Sequence, residues 1–358
     1  MKKDMSIELC RVIATFFVII LHMVGKGGIL TNVVRNSPSY FVAWSMKCGA
    51  LCAVNCFALI SGYLMCNKKI KAQNIINLWL QAFFYSSIIN VIFFLVMPET
   101  ITTTNIISSF LPIASGQWWY LSAYFVLFFS IPFLNQGISQ MSKTMYEKLL
   151  LVIVVGICIF DVILPGNTFD LQDGYSALWL MIVYLFGAYI RKYNVKEKIT
   201  AFKSLMLYFL MVAMTLLSKI IIGDILGSSK YETIFIYNQS FTILFAAIFI
   251  FLFCLNIKIG VKGEKLLGFF SPLCLGIYLI HVHQLVFEIL LNNMLIMLVE
   301  QNVLVMTVGV IIATILIFLI CSVIEIVRLK IFKLFKVKEF CAYLYKQMNR
   351  IFLLVFTK

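Results

Sequence analysis

Three ionisable side chains lie in or beside the first apolar stretch of the chain, where a charge is costly unless it is paired or hydrated: Glu8, Arg11 and His22. Glu8 and Arg11 are three residues apart, close enough to pair on one helix face. Arg11 and His22 are eleven apart, so a helix places them on one face, separated by about 16 Å along its axis. A guanidinium binds phosphate through paired hydrogen bonds, whereas an imidazole accepts a proton from an attacking hydroxyl near neutral pH. The spacing is equally compatible with an Arg11 that extends to lipid headgroups and a His22 bonded to a neighbouring carbonyl.

A second group of reactive side chains occurs late in the chain. Tyr278 and His281 are three residues apart and can share a polar pocket on one helix face. We take His281 as a second catalytic candidate and Tyr278 as a pocket residue. His283 falls on a different face, and hydration near a loop is enough to explain it.

Two further residues are candidates for binding an acceptor. Ser61 precedes Gly62, so its hydroxyl could bond a substrate, or the pair could simply allow close helix packing. Trp119 opens an apolar stretch, where an aromatic belt is expected at a membrane surface regardless of activity. An aromatic face also stacks on sugars. No metal site is predicted, because Cys48, Cys52 and Cys56 share one helical face without partner ligands.

The composition requires a lipid environment for these residues. Hydrophobic residues make up 62% of the 358 residues and charged residues 12%, whereas soluble domains have about 45–50% and about 25%. The formal charge of +14 does not indicate nucleic-acid binding, because Lys and Arg occur in short segments between apolar runs and not on one polar face. The basic residues are therefore interpreted as determinants of membrane topology.

Apolar runs long enough to cross the hydrocarbon layer need about 17–25 residues. The sequence predicts an all-α, polytopic transmembrane helix bundle of about ten helices. The predicted spans are 7–24, 41–65, 75–96, 118–134, 149–164, 175–190, 202–222, 234–255, 272–291 and 303–324.

Charge in the connecting segments tests this count, because cytoplasmic segments carry the excess of Lys and Arg. Alternate segments contain 24 of the 29 basic residues on one side and five on the other. Both termini are therefore predicted to be cytoplasmic, in a multi-pass protein of the cell membrane. We predict one membrane domain over 1–358, in which 325–358 form a basic amphipathic tail on the inner leaflet.

The motif of an acidic residue, Arg, ten residues and His, formed here by Glu8, Arg11 and His22, resembles the first-helix signature of acyltransferase family 3. Four further stretches resemble that family in the expected order. They are 56–64 (CFALISGYL), 119–121 (WYL) with Ile131 and Pro132 downstream, 185–191 (LFGAYIR) and 275–281 (LGIYLIH).

The resemblance implies an integral membrane O-acyltransferase that uses cytoplasmic acyl-CoA, usually acetyl-CoA, as donor and has no bound cofactor. It implies as acceptor a hydroxyl of a cell-envelope polysaccharide or lipid-linked sugar, presented at the outer face. On this reading Arg11 and Glu8 bind the donor, while His22 is the general base or forms an acyl-histidine. The alternative is a secondary transporter or flippase of an envelope precursor, which would be expected to have inverted repeats and acidic residues at mid-depth; the sequence has neither.

Overall fold

The computed structural model describes residues 4–68, 73–163, 169–227 and 235–356, which are helical and contain no strand. The α-helices are α1 (Met5–Val24), α2 (Ile29–Asn32), α3 (Pro38–Ala50), α4 (Ala53–Met65), α5 (Gln73–Val96), α6 (Thr103–Phe110), α7 (Trp119–Gln140), α8 (Lys143–Ile153), α9 (Ala177–Lys192), α10 (Ala201–Ser218), α11 (Phe241–Asn256), α12 (Val261–Phe270), α13 (Cys274–His281), α14 (Val303–Leu334) and α15 (Val337–Phe356). Turns of π-helix extend α8 over Val154–Asp161 and α10 over Lys219–Ile225.

Helix starts follow local polar residues in the otherwise apolar chain. Asp4 caps α1 by accepting a hydrogen bond from the backbone N–H of Ser6. Ser37 caps α3 in the same way and is followed by Pro38, whose fixed φ suits the first helical position. Ser176 caps α9 and Asn302 caps α14. These caps satisfy backbone donors that lipid could not.

Seven helices in the described residues are long and apolar enough to cross a membrane, which makes this chain a multi-pass membrane protein. The other three predicted spans also contain helices: α8 with its π-helical extension, α9 and α11, of which the last two have 16 residues each. The ends predicted at 164 and 234 lie outside the described residues. A total of ten spans, with cytoplasmic termini, stays a prediction.

Large apolar side chains on the outside of the bundle form the surface that lipid would cover. Phe133 on α7 is 76% exposed, Phe202 on α10 73% and Leu304 on α14 70%. A soluble monomer rarely exposes so much contiguous apolar surface. The exposed side chains therefore agree with the membrane location indicated by the composition.

The predicted span 272–291 has the wrong bounds. The helical segment runs from Val261 to His281 instead, because the charged stretch at its start forms α12, which packs on α1. Pro272 does not interrupt the chain's path, since it occupies the first turn of a short 3₁₀ segment, where its missing N–H costs little. The helix ends at His281, which therefore lies at the end of α13 and not in its middle.

The last span also extends further than predicted, to Leu334 in place of 324. Two charges of this extension pair inside the protein: Arg328 donates two hydrogen bonds to the Glu325 carboxylate, which also accepts from Gln81 and Tyr85. A buried ion pair with these partners can continue an apolar helix. The first part of the predicted tail is thus an extension of α14, and α15 is a separate helix.

Two glycines bring α4 and α9 into backbone contact. A Cβ atom on Gly62 would lie 2.1 Å from the carbonyl oxygen of Tyr184, and one on Gly187 would lie 2.2 Å from that of Leu59. Only glycine fits at either position. The SGY and FGA stretches of the sequence are therefore a helix-packing device, which fixes the α4 face that carries Ser61.

The buried side chains form two apolar clusters, and α1 contributes to both. Ile7, Cys10 and Ala14 pack with α4, α7, α9 and α11. Ile19 and Met23 pack with α5, α13 and α14. The same helix thus contacts both halves of the bundle, and its remaining face is available to line the space between them.

Candidate active site

A cavity of about 730 Å³ lies between the two clusters. Helices α1, α4, α5, α7 and α13 all contribute lining side chains. Arg11, Thr15, Val18 and His22 form a stripe of α1 along it, as expected for positions that recur every three or four residues. The predicted shared face of Arg11 and His22 therefore exists, and it faces a cavity.

His22 and His281 are in direct contact although 259 positions separate them in the sequence. Nδ1 of His22 lies 3.1 Å from Nε2 of His281, and Nδ1 of His281 lies 2.6 Å from the carbonyl oxygen of Ile277. His281 is 1% exposed, whereas His22 is partly exposed towards the cavity.

These contacts determine the tautomers of the two neutral rings. A carbonyl oxygen can only accept, so Nδ1 of His281 carries the proton and its Nε2 is an acceptor. His22 must then donate its Nδ1–H to that acceptor, which leaves the lone pair on its own Nε2. Since no hydrogen bond to this Nε2 occurs within the described part of the chain, His22 is oriented as a base with a free lone pair.

One end of the cavity, here called the basic end, carries Arg11, Lys68 and Asn74. Arg11 is held by an ion pair with Glu8, as the three-residue spacing predicts. The Arg11 side chain remains 27% exposed while that of Glu8 is 7% exposed, so Glu8 orients the guanidinium from behind. Together with the exposed Lys68, this end can bind a polyanion.

The opposite end, here called the aromatic end, carries Trp119, Tyr120 and Tyr175. The rings of Trp119 and Tyr175 meet edge to face with centroids 4.7 Å apart, and Tyr175 is 48% exposed. His22 lies near this end, since Tyr120 contacts Tyr278, whose ring is 6.4 Å from that of His281. Aromatic rings that are at least partly exposed, beside a base that also reaches the cavity, form a surface that suits a sugar.

Six of the seven predicted site residues line this one cavity. The seventh, Glu8, forms an ion pair with one of the six, Arg11. The six are Arg11, His22, Ser61, Trp119, Tyr278 and His281. Ser61 is oriented by its own helix, because its hydroxyl donates to the carbonyl oxygen of Phe57. His283 is fully buried outside the cavity and accepts a hydrogen bond from the backbone N–H of Leu285, which is a structural contact.

Sequence reasoning missed one side of the cavity. Asn74, Asn77 and Gln81 of α5 all line it. Their spacing of three and then four residues places them in one polar stripe of a mainly apolar helix, and this signal was available in the sequence. Tyr175 was treated only as the start of a span. Among the described residues, no group of three or more His, Cys, Asp or Glu is placed to hold a metal ion.

Comparison with known proteins bears on this geometry. The model of a family described as an acyltransferase domain, acyltransferase family 3, matches residues 5–324 and confirms the resemblance carried by the five motifs. The match spans α1 to most of α14 and so includes every helix that lines the cavity. Neither the curated proteins nor the solved structures contain a significant match.

Proposed function

Because this chain belongs to the acyltransferase family, we propose that it is an O-acyltransferase of the cell membrane. The proposed donor is cytoplasmic acyl-CoA, with acetyl as the expected group. The proposed acceptor is a hydroxyl of a cell-envelope or exported polysaccharide, or of a lipid-linked sugar. The observation that carries the proposal is the His22–His281 pair in a cavity with one basic and one aromatic end.

The basic end supports the choice of donor. Coenzyme A ends in a phosphorylated nucleotide that cannot enter hydrocarbon, and Arg11 and Lys68 offer cations for its phosphates. Its narrow pantetheine arm then follows the stripe of α1 towards His22. The distance along the axis is about 16 Å, within reach of that arm.

The orientation of His22 supports direct transfer. The acceptor hydroxyl gives its proton to Nε2 of His22 as its oxygen attacks the thioester carbonyl carbon. The C–O bond forms, the C–S bond breaks, and the departing thiolate takes the proton from His22. His281 touches neither substrate in this scheme, because it is 1% exposed and its Nε2 is occupied by the Nδ1–H of His22. It acts as a positioning residue, like the acidic member of a catalytic triad.

An acyl-histidine route uses the same lone pair as a nucleophile. Incubation with radiolabelled acetyl-CoA in the absence of acceptor separates the two routes. Label retained on the wild type and lost in the His22→Ala variant indicates the covalent route. Absence of label, with full transfer once acceptor is added, indicates direct attack.

The function itself is tested by deleting the gene and measuring acyl groups on envelope glycans by mass spectrometry. We expect acylation to be lost, restored by the wild type and not restored by His22→Ala at equal membrane abundance, because a methyl group neither accepts a proton nor becomes acylated. Loss of a general base typically lowers the rate about 10²- to 10⁴-fold. Unchanged acylation together with loss of solute or precursor movement would favour the transporter or flippase alternative.

A further inference from the structure

Two tyrosines that line the cavity have buried hydroxyl groups whose protons have no acceptor within the described part of the chain. They are Tyr120 and Tyr278. A buried polar atom without a partner costs about 1–3 kcal/mol, so such atoms call for an explanation. Because both residues line the cavity, we infer that a bound substrate supplies the missing acceptor.

The two tyrosines come from different helices, and their rings lie beside the histidine pair. The ring centroids of Tyr120 and Tyr278 are 6.3 Å apart. Tyr278 lies one turn before His281 on α13, with ring centroids 6.4 Å apart. His281 in turn contacts His22. Both tyrosines are therefore near the base and not at the basic end of the cavity.

The backbone of α7 gives this corner of the cavity additional positive character. The first hydrogen bond of the helix runs from Ser122 N–H to the Trp118 carbonyl oxygen, so the preceding N–H groups have no intrahelical acceptor. One of them, the N–H of Tyr120, faces the Tyr278 hydroxyl. An N–H group can only donate, so the proton of Tyr278 still lacks an acceptor. The start of a helix also favours a negative charge.

We propose that the hydroxyls of Tyr278 and Tyr120 donate hydrogen bonds to the thioester carbonyl oxygen of the donor as it becomes an oxyanion. The inference rests on the proposed acyltransferase function. When the acceptor oxygen attacks, the carbonyl π electrons move to this oxygen, and two preplaced donors stabilise the charge that develops. No proton is transferred from either tyrosine. When the C–S bond breaks, an electron pair of the oxyanion re-forms the carbonyl π bond, and the C–S bonding pair leaves with the sulfur, which takes the proton from His22.

The test uses Tyr278→Phe and Tyr120→Phe in the full-length protein in nanodiscs. Each change removes only an oxygen atom. We expect the single-turnover rate at saturating acetyl-CoA and acceptor to fall about 100-fold for Tyr278→Phe, as for loss of one oxyanion donor. Donor and acceptor affinities should be nearly unchanged. The unfolding temperature of the substrate-free protein should stay the same or rise, because neither hydroxyl proton has an acceptor to lose.

Tyr146→Phe is the matched control. The hydroxyl of Tyr146 is also buried, but it donates to the Leu185 carbonyl oxygen at 2.7 Å and does not line the cavity. This variant should unfold at a lower temperature and transfer acyl groups at the wild-type rate. The control thus shows the behaviour expected of a purely structural tyrosine.

Three results would overturn the inference. The first is a wild-type single-turnover rate in both cavity variants. The second is weaker substrate binding with an unchanged rate at saturation, which would assign the hydroxyls to ground-state binding. The third is a drop in unfolding temperature like that of Tyr146→Phe, which would make them structural. If the wild type itself transfers no acyl group, it is the proposed function that fails.

Discussion

Replacing His281 with phenylalanine tests the arrangement of the histidine pair most directly. Phenylalanine has a similar shape but no nitrogen, so the Nδ1–H of His22 loses its acceptor at 3.1 Å. Without that acceptor, the tautomer of His22 that keeps the lone pair on Nε2 is no longer favoured. We expect His281→Phe to retain donor binding and to lose most of its rate.

The size of the loss follows from the contact. A buried donor left without a partner costs about 1–3 kcal/mol, and restoring the productive tautomer and ring position costs a similar amount. At 1.36 kcal/mol per factor of ten, the rate should fall about 5- to 150-fold. This is less than the 10²- to 10⁴-fold loss typical for removal of the base itself. Once His22 is absent, His281 should contribute nothing further.

Two measurements check this account. In a double-mutant cycle of single-turnover rates, His22→Ala combined with His281→Phe should be no slower than His22→Ala alone. The chain contains only three histidines, so ¹⁵N NMR of histidine-labelled protein can resolve them. The contacts require Nδ1–H in His22 and His281 and Nε2–H in His283, whose Nδ1 accepts from Leu285. Additive rate losses, or a His22 protonated on Nε2, would refute the reasoning.

Three further predictions concern the donor site, the packing and the topology. Arg11→Lys keeps the charge but loses the planar guanidinium, so acyl-CoA affinity measured in nanodiscs should weaken, while His22→Ala should bind acyl-CoA nearly normally. Normal donor affinity in Arg11→Lys would assign Arg11 to packing or chemistry. Gly187→Ala forces a Cβ atom against the α4 backbone and should lower the free energy of unfolding by about 1–3 kcal/mol, measured by thermal unfolding. The control is Gly137→Ala on α7, where an added Cβ atom meets nothing within 4 Å; this change should be neutral or stabilising. Cysteine-accessibility labelling should find 191–203 cytoplasmic and 98–117 outside, and labelling of 98–117 from the cytoplasm alone would contradict the topology.

The sequence was sufficient for features that depend on local spacing. The Glu8–Arg11 pair and the shared face of Arg11 and His22 follow from helical geometry, and the structure contains both. The pairing of Gly62 with α9 could not be derived in this way, since a glycine does not specify its neighbour. The family motifs at 56–64 and 185–191 include Gly62 and Gly187, but a motif gives no physical reason for a glycine.

Features that depend on tertiary contacts were not predictable. Charged residues around Lys262 and Glu325 suggested helix ends, but both stretches are helical. Glu325 pairs with Arg328 on its own helix, but the burial of this pair depends on Tyr85 of α5, which donates a hydrogen bond to Glu325. The contact between His22 and His281 joins helices at opposite ends of the sequence. The orientation of His22 depends on a carbonyl oxygen, that of Ile277, and no sequence pattern records such an acceptor.

The continuity of α1 limits how this sequence can change over time. Met5–Val24 is one uninterrupted helix that carries both Arg11 and His22. Substitutions between them alter only side chains, but each inserted or deleted residue rotates everything beyond it by about 100° and shifts it by about 1.5 Å. A single insertion would therefore turn His22 away from the cavity and from His281 while leaving a normal helix. The ten-residue interval is thus expected to tolerate replacement of its residues but not a change in their number.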